Sequence, residues 1–170
     1  MTRLLSPTLL MLLALVGSGC ELAPPAEAPT TRILEVIDGD TVRIASSGEE
    51  DTVRVIGIDR PETRRPGRGV ECGGRAATAA LRDLAEGRPV RVIEDPTQDR
   101  RDRYGHRLAY LELEGGRDLG ERQVAKGHAA VYVFEEPFAR LRRYRRAERK
   151  ARARRDGVWG ACDGGFHRPE

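Results

Sequence analysis

No stretch of this chain constrains its fold as tightly as IDGDTVRI, residues 37–44. Apolar and polar residues alternate on both sides of it, over 32–37 and 41–45, so Asp38 and Gly39 read as the turn of a hairpin. Nine residues further on, RVIGIDRPE at 54–62 supplies Arg54, Asp59 and Glu62 on and just beyond the next strand. Carboxylates gathered in this way repel one another unless a cation or a proton intervenes. Hard oxygen donors suit Ca²⁺ or Mg²⁺, and an arginine beside them offers a planar fork that fits phosphate.

The rest of the chain is organised around that pattern. Residues 1–20, MTRLLSPTLLMLLALVGSGC, pair one basic residue with an apolar run ending in small residues, the layout of an export signal. Ser18-Gly19-Cys20 resembles the end of a bacterial lipobox, with Cys20 as the lipidated residue; Gly17 departs from the usual leucine, and release as a free secreted protein is the alternative. A lipid there would hold the protein on a membrane without a spanning helix. Residues 21–31 read as a flexible tether, 32–163 as one domain with a single core, and 164–170 as a tail. Cys72 and Cys162 remain once Cys20 is assigned to processing, and an even pair in an exported protein suggests a disulfide.

The formal net charge is only +3, but residues 138–155 concentrate arginines against the single acid Glu148. Solvated charge is the ordinary reading of such a run, with contacts to a nucleic-acid backbone or an anionic lipid as the alternatives. Period-two alternation marks five strands, over 32–37, 41–45, 52–58, 89–94 and 107–113, with Gly57 as a bulge or bend. About three helices are expected, over 74–86, 118–127 and 138–155. No internal repeat is visible.

The run from Asp38 to Ile44, then Arg54, then IDRPE at 58–62, resembles the staphylococcal nuclease (thermonuclease) family, and the likeness continues through DRYGHRLAY at 102–110 to Trp159. The resemblance implies an α+β fold, a five-stranded OB barrel with helices packed on it. It implies a Ca²⁺-dependent endonuclease that hydrolyses DNA and RNA to 3′-phosphate products, expected as a monomer. Asp40 and Asp59 would be Ca²⁺ ligands together with the backbone carbonyl of Arg60, where the family usually has threonine; a carbonyl ligand does not depend on the side chain. Asp38 and Thr41 would orient Asp40 or nearby water. Glu62 would act as general base or position the attacking water, and Arg54 would neutralise charge on the phosphate. Arg103 and Tyr104 match positions that contact the terminal phosphate of the nucleotide.

One departure stands out. The family pattern ends in arginine where this chain has His106, with Arg107 one residue later. Adjacent residues on a strand face opposite sides, so the two cannot simply exchange places. His106 is the favoured candidate for the second phosphate contact, Arg107 the other, and a slow enzyme is a third outcome. A catalytically silent nucleic-acid-binding OB module, or a surface lipoprotein adhering through its basic helix, would also fit the fold.

Overall fold

The computed structural model describes residues 31–63, 70–162 and 165–166. The export signal with Cys20, the tether apart from Thr31, and the tail apart from Gly165 and Phe166 lie outside the described residues. Within them no helix is long and apolar enough to cross a membrane.

Strands β1 (Arg32–Val36), β2 (Thr41–Ser46) and β3 (Glu49–Val55) form an antiparallel meander, and the short β4 (Ile58–Asp59) follows a turn. Gly57 makes that turn at φ 82, and a Cβ there would come within 2.4 Å of the Phe138 ring, so both backbone and packing require glycine. Helix α1 (Gly74–Ala85) buries Ala77, Leu81 and Ala85, spaced four apart on one face. Next come β5 (Arg91–Ile93), β6 (Arg107–Leu113), β7 (Arg117–Asp118), α2 (Leu119–Ala125), β8 (Ala130–Val131), α3 (Leu141–Arg154) and the single turn α4 (Val158–Ala161).

The main sheet runs β1-β2-β3-β6-β5, with β7 on β6; β3 and β6 are parallel and the other pairs antiparallel. A second small sheet joins β4 to β8. Between the edges β1 and β5 the described residues form no continuous ladder. The edges meet instead through a bridge of Arg32 with Pro89 and bonds of Ile33 N–H to Arg88 O (3.0 Å) and Val90 N–H to Thr31 O (2.8 Å). The strand expected from residue 89 therefore begins later, because Pro89 and Val90 are engaged with β1.

Inward rows of Ile33, Val36, Val42, Ile44, Val53 and Val55 meet Leu81 of α1 and Leu111 of β6 in one core. Helix α3 is fastened to it by polar groups. The buried carboxylate of Asp118 caps α2 by accepting from Glu121 N–H (3.1 Å), and also accepts from the Tyr144 hydroxyl (2.7 Å) and Arg140 (2.6 Å). Beside it the Tyr110 hydroxyl donates to Asp95, which also accepts from Ala139 N–H at 2.7 Å. Removing one member would leave a buried polar atom of its neighbours short of one partner, which makes such a network costly to break.

Cys72 and Cys162 are joined in a disulfide that ties the segment before α1 to the end of α4 across 90 residues of sequence. Closing a loop of that length restricts the unfolded chain by about 4–5 kcal/mol in the chain-entropy model. Urea unfolding of the Cys72→Ser/Cys162→Ser double variant is expected to show a loss approaching that value. A loss below about 1 kcal/mol would mean that native strain or residual structure in the unfolded chain offsets the constraint.

Candidate active site

The turn between β1 and β2 is drawn tight by its own backbone. Ile37 and Asp38 N–H both donate to Thr41 O (3.0 and 3.2 Å), and Asp38 Oδ1 accepts from Asp40 N–H at 3.1 Å. From inside the domain, Gln123 of α2 donates to Gly39 O (3.1 Å) and to Ala77 O (3.0 Å), pinning the turn to α1. Sequence reasoning missed Gln123, since a glutamine in a helical pattern ordinarily faces water. Nothing in its sequence context marks it as buried.

Across the sheet Thr41 pairs with Arg54, and Arg54 with Leu108. That row places Arg54 over the turn, with Nη2 3.6 Å from Asp40 Oδ2. Beyond β4 the chain passes through Arg60 and Pro61 to Glu62. Glu62 N–H donates to the Glu71 carboxylate and Glu71 N–H to Glu62 O, both at 2.8 Å, so the two ends of the intervening segment are clasped together.

Asp38, Asp40, Thr41, Arg54, Arg60, Glu62, Tyr104 and His106 line one cleft of about 280 Å³. Asp59 adjoins it, within electrostatic reach of Arg54, Glu62, Arg60 and Glu71. Arg103 lies outside, exposed, its guanidinium 4.9 Å from the centre of the Tyr104 ring. His106 is held by Asp102, which accepts from its backbone N–H at 2.9 Å and meets its Nδ1 at 3.0 Å, leaving Nε2 for another partner. Arg107 is not brought to the cleft. It sits opposite Val53 rather than Arg54, and its guanidinium pairs with Glu94 at 2.8 Å. The alternation of side chains along the strand separates the two candidates. A larger open hollow of about 870 Å³ lies where Arg107 and Arg91 point, but their charges are answered by Glu94 and Glu112.

The side chain of Arg60 does not stay out of the way. It enters the cluster, Nη2 2.8 Å from Asp38 Oδ2 and Nη1 3.1 Å from Glu62 Oε2. The resemblance gives Arg60 a role through its carbonyl and assigns none to the side chain; the structure places that side chain among the acids. Arg60 supplies Asp38 with a positive partner, and this together with the hydrogen bonding around Asp40 holds Asp38 below its ordinary value in spite of its burial. Asp40 and Asp59 go the other way. Burial pushes Asp40 up to about 7, with Asp38 adding repulsion, while Arg54 and Arg60 compensate only in part. Burial likewise pushes Asp59 up to about 6; Arg54 pulls it down and Glu62 pushes it further up.

Among the described residues no three of His, Cys, Asp or Glu are grouped as a ready metal cage. The donor chemistry nonetheless suits a hard divalent cation, because Asp40 is a buried and Asp59 a half-buried oxygen acid, and burial disfavours both as bare carboxylates. A backbone carbonyl at Arg60 would complete a set of oxygen donors.

A small curved sheet backed by three helices, with carboxylates and arginines gathered at the first hairpin turn, defines a compact α+β domain built around a charged cleft. Residues 52–161 match the family described as staphylococcal nuclease homologue, and the chain belongs to that family. It is 32% identical over 136 residues to the SPbeta prophage-derived endonuclease YokF of Bacillus subtilis, covering 77% of this chain and 45% of that protein. To endonuclease YncB of Bacillus subtilis it is 33% identical over 124 residues, covering 72% and 58%. To the thermonuclease of Staphylococcus hyicus it is 30% identical over 135 residues, covering 79% and 78%. The chain thus spans about half the length of the two Bacillus relatives.

The raised carboxylates set a pH dependence. A carboxylate whose folded pKa lies above its unfolded one favours folding below the unfolded value, and that contribution is lost as pH rises through the folded value. For Asp59 the window runs from about 4 to about 6. Asp59→Asn is therefore expected to melt higher than the parent protein at pH 8 in a metal chelator, with the advantage gone by about pH 4. Equal melting curves at pH 8 would show that Asp59 is not strained by its ionisation.

Proposed function

We propose that the protein is an exported endonuclease that hydrolyses phosphodiester bonds of DNA and RNA with Ca²⁺ as cofactor, leaving 3′-phosphate ends. The observation that carries the reading is the convergence of Arg54, Glu62 and His106 on one cleft beside Asp40. Membership of the nuclease family supports it, as do the endonuclease and thermonuclease names of the relatives.

In this reading a phosphodiester enters with its non-bridging oxygens toward Arg54, whose bidentate fork matches them. Glu62 accepts a proton from, or orients, the water that attacks phosphorus from the opposite side. His106 donates from Nε2 to a phosphate oxygen, with Asp102 fixing the ring through Nδ1. Asp38 and Thr41 orient Asp40, the latter through the Thr41 hydroxyl bond to Asp40 Oδ1 at 2.8 Å. Tyr104 at the rim, with Arg103 over its ring, receives the terminal phosphate and base. Asp40, Asp59 and the Arg60 carbonyl would hold Ca²⁺, which when bound adds positive charge against the developing phosphate dianion and polarises the water.

The wider reading is that the sheet closes into a five-stranded OB barrel at residues 87–90, and that the domain works as a monomer. Cys20 then carries a lipid that holds the domain on a bacterial membrane facing outward, or the protein is released.

Degradation of DNA and RNA is expected with Ca²⁺ and should vanish in EDTA. Arg54→Ala should lower kcat by about a hundredfold or more, as for loss of one contact to transition-state charge. His106→Ala should lose activity at neutral pH while Arg107→Ala stays within a few fold of the parent. The reverse order would place the displaced arginine in the site, and nucleic-acid binding without turnover would favour the silent module.

A further inference from the structure

We infer that Arg60 is a built-in cation of the carboxylate cluster, and that a divalent cation binds by displacing its guanidinium. The inference rests on the reading of Asp40 and Asp59 as the metal-holding acids.

The guanidinium lies among Asp38, Asp40 and Glu62. Besides its contacts to Asp38 and Glu62, Nη1 donates to Pro61 O at 3.0 Å, and Nε lies 3.8 Å from Asp40 Oδ1. Only 11% of the side chain is exposed. Its stem is accommodated by Gly39: a Cβ there would come within 3.2 Å of Arg60 Cδ and 3.0 Å of the Ala77 Cβ. The turn and the arginine stem are thus fitted to each other.

The fit is incomplete in one respect. Among the described residues Arg60 Nε is buried with no hydrogen-bond partner, since the acid oxygen it faces, on Asp40, is 3.8 Å away and beyond bonding distance. A rigid planar fork cannot aim its N–H groups at Asp38, Glu62 and Asp40 together. A small cation without directional demands can meet several oxygens at once. The Arg60 guanidinium therefore answers Asp38 and Glu62 well and Asp40 badly, and Arg54 also stays 3.6 Å from Asp40, which leaves this buried acid as the place where a further cation gains most.

Both cations cannot share that volume without repulsion. Entry of the metal at Asp40 would push the guanidinium outward and free Glu62 from its ion pair, so that the carboxylate assigned to the attacking water is released only when the metal is present. Arg60 would thereby act as a positioning residue that couples metal binding to the availability of Glu62, at the expense of metal affinity.

The test is Ca²⁺ titration calorimetry on the parent protein, Arg60→Met, which keeps the stem without the charge, and Arg60→Gln, which keeps a donor. Each variant is expected to bind Ca²⁺ about tenfold or more tightly, the scale of one charged hydrogen bond no longer to be broken. Each should also melt below the parent in EDTA and gain more than the parent from added Ca²⁺. Parent and variants binding Ca²⁺ with equal affinity would overturn the inference and leave the nuclease reading intact. No Ca²⁺ binding by any of the three would overturn the metal assignment itself, and the inference with it.

Discussion

Crowding of negative charge at the first hairpin turn is the constraint to which the rest of this domain answers. Asp38 and Asp40 are two residues apart on a turn that folds back on itself, Glu62 shares their cleft from the next connection, and Asp59 adjoins it within electrostatic reach of Glu62. Such an arrangement is unfavourable in a partly dry cleft unless cations are supplied. Arg54 from β3 and Arg60 beyond β4 supply two. Burial outweighs them at Asp40 and Asp59 and leaves both with raised affinity for a proton, and acids so disfavoured as bare carboxylates suit a hard metal.

Holding those charges in place needs a frame that does not relax around them. The frame comes from contacts far from the cleft in sequence. Gln123 spans the turn and α1, and the Asp118–Arg140–Tyr144 group fastens α3 to β6 and α2. The disulfide closes the end of α4 onto the segment that leads into α1. Each is a polar or covalent constraint with specific geometry, whereas the apolar core alone would tolerate small shifts.

The same logic explains why the histidine and the following arginine are not interchangeable. The row through Thr41, Arg54 and Leu108 puts alternate residues of the incoming strand on the cleft side, which takes His106 and excludes Arg107. Asp102 supports the histidine through both its ring and its backbone N–H. Arg107 instead balances Glu94 on the other face.

The five longer strands, the three longer helices and the residues around the cleft were legible in the sequence, because alternation, helix-face spacing and turn chemistry are local. The two-residue strands β4, β7 and β8 carry too little pattern to register. The early start of β3 at Glu49 rests on polar residues paired across β2, which alternation does not report. Sequence thus determined the elements and the identities of the acids and arginines, through short-range periodicity and spacing. Tertiary structure alone decided that Gln123 is buried, that Arg107 turns away, and that the Arg60 guanidinium lies among the carboxylates. Those outcomes depend on which distant groups share one small volume, and no local pattern encodes that.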